Sequence, residues 1–151
     1  RKDLGGGVIN TITHELDLIQ FFFGEPISIK TVKANVGNLQ IEVEDIAESI
    51  FFYKDKLVSL HIDYLQKDYD RNIKILGSKG KFIWNWHEDK IEVNLHKNVN
   101  ETIKIDSFPT NQLYINEIKD FLSLVDSNQK NHSLDFHHAC KNAKIMLDMH
   151  K

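Results

Sequence analysis

Apolar residues recur at two different periods along this chain. Near its start the spacing is helical. Val8, Ile12, Leu16, Ile19 and Phe23 fall on one stripe at roughly 100° per residue, while Asn10, His14 and Asp17 gather on nearly the opposite side. The pattern predicts a helix over residues 9–23, stopped by Gly24 as a C-terminal cap and by Pro26, which cannot continue it. Leu18, Phe21 and Phe22 add apolar surface outside the stripe. A helix apolar on several sides is expected to be covered on several sides, which places the polar trio in a cleft or at an interdomain face.

From Ile27 onward the period is two. Val32, Ala34 and Val36 alternate with Thr31, Lys33 and Asn35, and Ile46, Ile50 and Phe52 alternate with Ala47, Ser49 and Phe51. Beyond the turn Lys54-Asp55-Lys56, Val58, Leu60, Ile62 and Tyr64 face one side and Ser59, His61 and Asp63 the other. Further strands are expected over 72–76, 81–86, 91–95 and 102–105. They are joined by Gly77-Ser78-Lys79-Gly80, His87-Glu88-Asp89-Lys90 and Lys97-Asn98-Val99-Asn100, connections too short for parallel crossovers. Two helical patterns close the chain on either side of a loop, Gln129-Lys130-Asn131-His132: Tyr114, Ile118, Phe121, Leu122 and Val125 follow Pro109-Thr110, and Phe136, Ala139, Cys140, Ala143 and Met146 follow Ser133, a natural N-cap. This order predicts an α+β fold: one domain over 1–151, with an open, mostly antiparallel sheet of six or seven strands whose one face lies under the N-terminal helix and the two C-terminal helices. Phe51, Tyr53, Trp84 and Trp86 are too large for a solvated sheet face, so any that point away from the helices imply a homo-oligomer formed through that face.

At 151 residues the chain is long enough to bury roughly 70% of its unfolded surface without staples. A net charge of −3, with lysines and glutamates interleaved, offers no footprint for nucleic acid or an anionic membrane. A single cysteine, Cys140, excludes an internal disulfide framework and suits a reducing cytoplasm; inside an apolar stripe it is expected to be buried and inert. No apolar run approaches the roughly 18 residues of a membrane span. A soluble, cytoplasmic protein is expected.

The chemistry concentrates before and on the first helix. Gly5-Gly6-Gly7 fits neither GxGxxG after a strand nor GxxxxGK[ST], so it is weak as a phosphate loop of its own. It fits either a flexible or tightly packed entry to the helix or a backbone that comes close to a ligand held elsewhere. His14 and Asp17, at i and i+3, could ligate a metal or serve acid/base work; a metal would want a third and usually a fourth ligand, none declares itself, and none is expected. His137 and His138 are adjacent and point in different directions, as surface or packing residues do. His61 and Asp63 share a strand face with Gln66, Lys67 and Arg71 just beyond, a solvated set by default. No GxSxG elbow provides a nucleophile.

Several spaced segments resemble the C-terminal domain of the Gfo/Idh/MocA (glucose-fructose oxidoreductase / inositol dehydrogenase) family. They are Arg1-Lys2-Asp3-Leu4-Gly5-Gly6-Gly7-Val8-Ile9, Thr13-His14-Glu15-Leu16-Asp17, Phe23-Gly24-Glu25, and the stretch from Tyr64 through Arg71 to Gly77-Ser78-Lys79-Gly80-Lys81-Phe82. The resemblance implies a Rossmann domain upstream that binds most of NAD or NADP, and here the domain that binds a sugar or polyol substrate and forms the oligomer. By that resemblance His14 is the catalytic histidine, working with a lysine of the upstream domain. Gly5, Gly6 and Gly7 approach the cofactor, and Asn10, Thr11, Asp17 and Arg71 are the expected substrate contacts. Hydride leaves carbon while a proton leaves oxygen, so the step needs a group that titrates near neutrality beside the reacting hydroxyl. The chain departs from the family where many members carry an aspartate three or four residues before the histidine; Thr11 and Asn10 stand there instead. Neither can hold an imidazolium electrostatically. A ligand-sensing or interaction protein with the same fold and no chemistry is therefore the alternative, and this chain alone is expected to be inactive.

Overall fold

The helical spacing at the start of the chain is realised as two pieces. In the computed structural model, which describes residues 1–96, 99–105, 109–127 and 136–151, Ile9–Thr11 is a 3-10 turn and the α-helix α1 runs Thr13–Phe23. The expected helix over 9–23 is thus broken at Ile12 (φ −100°, ψ 25°). Side chains of the turn fold back onto upstream carbonyls: Asn10 Nδ2 donates to Gly5 O (3.1 Å) and Gly6 O (3.2 Å), and Thr11 Oγ1 donates to Val8 O (2.8 Å). Such local bonds compete with a regular helix. The tighter turn lets Val8, Ile9 and Ile12 all enter the core. Gly24 (φ 74°) ends α1, its N–H donating to Gln20 O at 2.8 Å.

Seven strands follow, all antiparallel: β1 Ser28–Ala34, β2 Ile46–Phe52, β3 Leu57–Asp63, β4 Asn72–Gly77, β5 Gly80–Asn85, β6 Lys90–Leu95 and β7 Val99–Lys104. They form two open sheets, β1-β2-β3 and β4-β5-β6-β7. Between them Asp63 turns the chain, its Oδ1 accepting the N–H groups of Leu65 (2.6 Å) and Gln66 (2.8 Å). The helices α2 (Thr110–Ser127) and α3 (Phe136–Met149) close the chain and complete the α+β class. The Ser133 cap, the 129–132 loop, and Lys97 and Asn98 of the third turn lie outside the described residues.

Two compact units divide the chain. The first, Arg1–Gln66 with Asn131–Lys151, holds a core of Val8, Ile9, Ile12, Leu16, Ile19, Ala47, Phe51, Ile145 and Met149, ringed by Phe23, Ile29, Tyr53, Val58, Leu60, Ile62 and Met146. Pairing of Phe51 with Ile29 and Val58 fixes which face of the sheet meets α1 and α3. Phe51 is completely buried, and removing its ring from water contributes about 2–3 kcal/mol. Tyr53 also turns inward, its hydroxyl donating to Gly24 O at 3.0 Å. Neither residue therefore belongs to an outward sheet face.

Helix α3 is rotated from the expected stripe. Its buried side carries Ile145 and Met149, with His138 and Asn142 turned toward α1, whereas Phe136 and Cys140 are exposed. The reading of Cys140 as a buried thiol is corrected accordingly. The rotation buries Ile145 and Met149 and lets His138 and Asn142 meet Asp17 and the buried Gln20 of α1.

The second unit, Lys67–Lys130, contains β4 to β7 and α2. Register places Ile73, Ile75, Phe82, Trp84, Ile91 and Val93 on one face of its sheet. Ser78 and Lys79 alone link β4 to β5, and Gly80 (φ 155°) lies where a Cβ would strike the Asn94 carbonyl. None of the described residues of this unit is buried. The apolar positions of α2 have the expected spacing and are exposed, Tyr114, Ile118, Phe121, Leu122 and Val125 among them.

Candidate functional site

Each glycine of the triplet has a reason within the chain itself. Lys2–Leu4 is a 3-10 turn, and Gly5 caps it in the left-handed region (φ 73°) with its N–H on Lys2 O at 3.2 Å. A Cβ at Gly6 would sit 2.7 Å from the Arg1 carbonyl oxygen, a distance real side chains do not tolerate. Gly7 (φ 122°) lies against the Glu44 carboxylate, which a Cβ would strike. All three carbonyls are held: Gly5 O and Gly6 O accept from Asn10, and Gly7 O accepts from the Tyr64 hydroxyl at 3.0 Å. Val8 N–H donates to Glu44 O at 3.2 Å. The turn is a clamped backbone, with open space only where a Cβ of Gly5 would project.

The polar stripe along the 3-10 turn and α1 divides by partner. Asn10 Oδ1 lies 2.9 Å from His150 Nε2. Asp17 Oδ1 accepts from His138 Nε2 (2.5 Å) and Asn142 Nδ2 (3.2 Å), and the buried Gln20 bonds to Asn142. Thr11 Oγ1 is 3.5 Å from the Tyr64 hydroxyl. His14 is exposed and has no hydrogen-bond partner among the described residues. The structure therefore brings Gly5, Gly6, Gly7, Asn10 and Thr11 into one bonded cluster, ties Asp17 to α3, and leaves His14 facing solvent.

Tyr64, His138, Asn142 and His150 were not read as parts of this site from the sequence. Only Tyr64 had a signal: its parity with Val58, Leu60 and Ile62 put it on the helix side of the sheet. The α3 residues gain meaning only once the rotation of that helix is known.

Arg71 belongs to the second unit. Its guanidinium lies 5.5 Å from the Trp86 ring, and its carbonyl accepts the Trp86 N–H at 2.9 Å. Back in the first unit, His61 and Asp63 share the outer sheet face as expected: His61 Nδ1 meets Glu48, and Nε2 lies 2.8 Å from Asp63 Oδ2. The Gln66 amide, with the Gln66 and Leu65 N–H groups and His61, holds the Asp63 carboxyl at about 2. The Glu48 carboxylate, with Asp63 beside it, raises His61. These bonds fix the turn after β3. A surface groove between α3 and the segment after α1, lined by Glu25, Pro26, Ile29, His137, Cys140 and Lys141, includes neither His14 nor the glycine turn. No helix among the described residues is long and apolar enough to cross a membrane.

A clamped glycine turn, a helix with an exposed histidine near its start, and open antiparallel sheets together make an α+β domain. The chain belongs to the GFO/IDH/MocA C-terminal domain family, whose model matches residues 1–83. That match contains the glycine turn, α1, the first sheet, β4 and β5 as far as Ile83. Among solved structures, UDP-N-acetylglucosamine 3-dehydrogenase GnnA from Acidithiobacillus ferrooxidans superposes with a TM-score of 0.79 at 16% identity, over 94% of this chain and 45% of its own. The WlbA dehydrogenase from Bordetella pertussis, in complex with NADH and UDP-GlcNAcA, gives 0.65 at 16% identity over 96% and 45%. A variant of KijD10, a 3-ketoreductase from Actinomadura kijaniata, in complex with TDP-benzene and NADP, gives 0.74 at 13% identity over 97% and 48%. At these identities the likeness establishes the fold, and the chain spans about half the length of each. Among curated protein sequences none matches this one.

Proposed function

We propose that this chain is the substrate-binding and self-associating part of an NAD(P)-dependent oxidoreductase that acts on a sugar or polyol, with His14 as the residue that exchanges a proton with the reacting hydroxyl. One observation carries the assignment. Of the polar stripe Asn10, His14 and Asp17, Asn10 in the 3-10 turn and Asp17 on α1 are engaged by the fold, and His14 is not. A histidine that supports nothing else is the one free to meet a substrate, and an imidazole can both accept and donate a proton.

The residues present fit a nicotinamide cofactor in a limited sense. The open space beside Gly5 lets a flat ring approach the backbone, and the held carbonyls keep that backbone in place. Nothing on this turn grips a phosphate in the manner of a dinucleotide loop. Gly5 and Gly6 would line the cofactor while an upstream Rossmann domain holds it; when bound, the dinucleotide supplies hydride transfer. The nucleotide-linked sugars named with GnnA and WlbA favour a substrate of that kind.

Thr11 and Asn10 sustain the second reading, a sensor without chemistry, because both are committed to the turn and to Tyr64 or His150 rather than to His14. Turnover of sugars by the intact protein, followed by nicotinamide reduction, separates the two. His14→Asn should lower kcat by about 10²- to 10⁴-fold with cofactor affinity unchanged; equal turnover removes the role assigned to His14. Binding of sugar and dinucleotide with no turnover by the unaltered protein establishes the sensor.

A further inference from the structure

Lys33 of β1, His150 just beyond α3, and Asn10 form one hydrogen-bonded line that ends on the glycine turn. Lys33 Nζ lies 3.2 Å from His150 Nδ1 and donates to the His150 carbonyl at 2.7 Å. His150 Nε2 lies 2.9 Å from Asn10 Oδ1, and Asn10 Nδ2 reaches Gly5 O and Gly6 O at 3.1 and 3.2 Å.

Donor and acceptor chemistry orders this line in one direction. A lysine ammonium only donates, so Nδ1 of His150 accepts, and the ring carries its proton on Nε2. That N–H donates to Asn10 Oδ1. The amide NH₂ of Asn10 is then the half turned toward the glycine carbonyls, which only accept. Reversing either the tautomer or the amide breaks at least two of these contacts. Because a peptide unit is planar, a fixed Gly5 or Gly6 carbonyl also fixes the N–H of the following residue.

We propose that His150 is a positioning residue: oriented by Lys33 as the Nε2–H tautomer, it sets Asn10 and, through Asn10, the peptide planes of the glycine turn. The residue that follows α3 thereby controls the backbone lying before α1. The claim that this backbone faces the cofactor rests on the reading under Proposed function; the positioning role does not.

Side-chain nitrogen NMR of the purified protein tests the tautomer without any substitution. A His150 protonated on Nε2 with Nδ1 bare is expected, and the opposite tautomer overturns the proposal. His150→Phe keeps the bulk of the ring and removes both bonds, whereas His150→Gln can still accept from Lys33 and donate to Asn10. Backbone order parameters at Gly5, Gly6 and Gly7 should fall from about 0.85 to below about 0.6 in His150→Phe and recover in His150→Gln, with Ala47 and Phe51 unmoved. Unchanged glycine values in a folded His150→Phe overturn the role, as does a His150→Gln turn that stays loose. In the intact protein, His150→Phe should raise the KM for the dinucleotide about tenfold, with kcat less affected and rescue by His150→Gln. A loosened turn with an unchanged KM upholds the role of His150 and removes the reading that the turn faces the cofactor.

Discussion

Phe51 and Phe82 hold equivalent places in their two sheets. Each lies within an inner strand with apolar cross-strand neighbours on both sides, Ile29 and Val58 for Phe51, Ile75 and Val93 for Phe82. Phe51 is completely buried within a cluster that includes Leu16 of α1 and Ile145 of α3. Phe82 is only half-buried. Pairing decides which residues share a face, and a further layer decides whether that face becomes a core. The first unit has its layer in α1 and α3. The second has an apolar sheet face and no buried residue among those described.

The largest effect should come from cutting the two rings back. Phe51→Ala is expected to cost about 3–5 kcal/mol in urea denaturation, from lost transfer energy and the cavity left behind. Phe82→Ala should cost about 1–2 kcal/mol in dilute protein, in keeping with half-burial. Equal losses would show that the two sheets are cored alike, which breaks the comparison.

A smaller effect concerns what lies over the second sheet. The self-association proposed above would put a second copy of the chain there. Sedimentation at micromolar concentration should then give a dimer or larger species, with about 1,200–2,000 Å² buried in the contact. Trp84→Lys, which places a charge on the apolar face, should shift the distribution toward monomer. An unaltered protein that sediments only as monomer removes this idea.

The period-two runs fixed the strands in advance because alternation needs no knowledge of partners. The β2–β3 and β4–β5 hairpins have the expected residues in their turns, and Tyr64 lies on the side its parity assigned. Rotation of α3 was not legible. Phe136, Ala139, Cys140, Ala143 and Met146 make an acceptable apolar stripe, but of these only Met146 packs on the core, while Ile145 and Met149 enter it and His138 and Asn142 meet Asp17 and Gln20 of another helix. The break in the first helix was hidden for a similar reason, since residues 9–23 keep helical spacing whether or not Asn10 and Thr11 bond back to the glycine turn. The candidate site was legible as the glycines and the stripe with His14. The line from Lys33 through His150 to Asn10 joins residues more than a hundred positions apart, and no local pattern marks it.

The smallest effect is a dependence on pH that belongs to the first unit. His61 is raised, chiefly by the Glu48 carboxylate, so the stability it adds is complete below its ordinary value of about 6.5 and is lost as pH rises through the higher folded value. Asp63 has the opposite sign. Held at about 2, it adds stability above its ordinary value of about 3.9, and that stability is lost as pH falls toward the folded value. Both contributions are therefore present together between roughly pH 4 and 6.5. In the second unit Glu88 (2.6 Å) and then Glu92 (2.9 Å) raise Lys90, and Lys90 lowers Glu92, so this cluster keeps its charges across the range in which His61 titrates. His61 is about half exposed, which limits its share to less than about 1 kcal/mol. Urea midpoints of the unaltered protein and His61→Gln, taken from about pH 5.5 to about pH 8.5, should converge as pH rises, because the variant lacks only the stability that deprotonation removes. A constant difference between the two profiles would mean that the Glu48, His61 and Asp63 contacts hold equally well with the imidazole neutral, and the charge on His61 would then contribute nothing to the sheet.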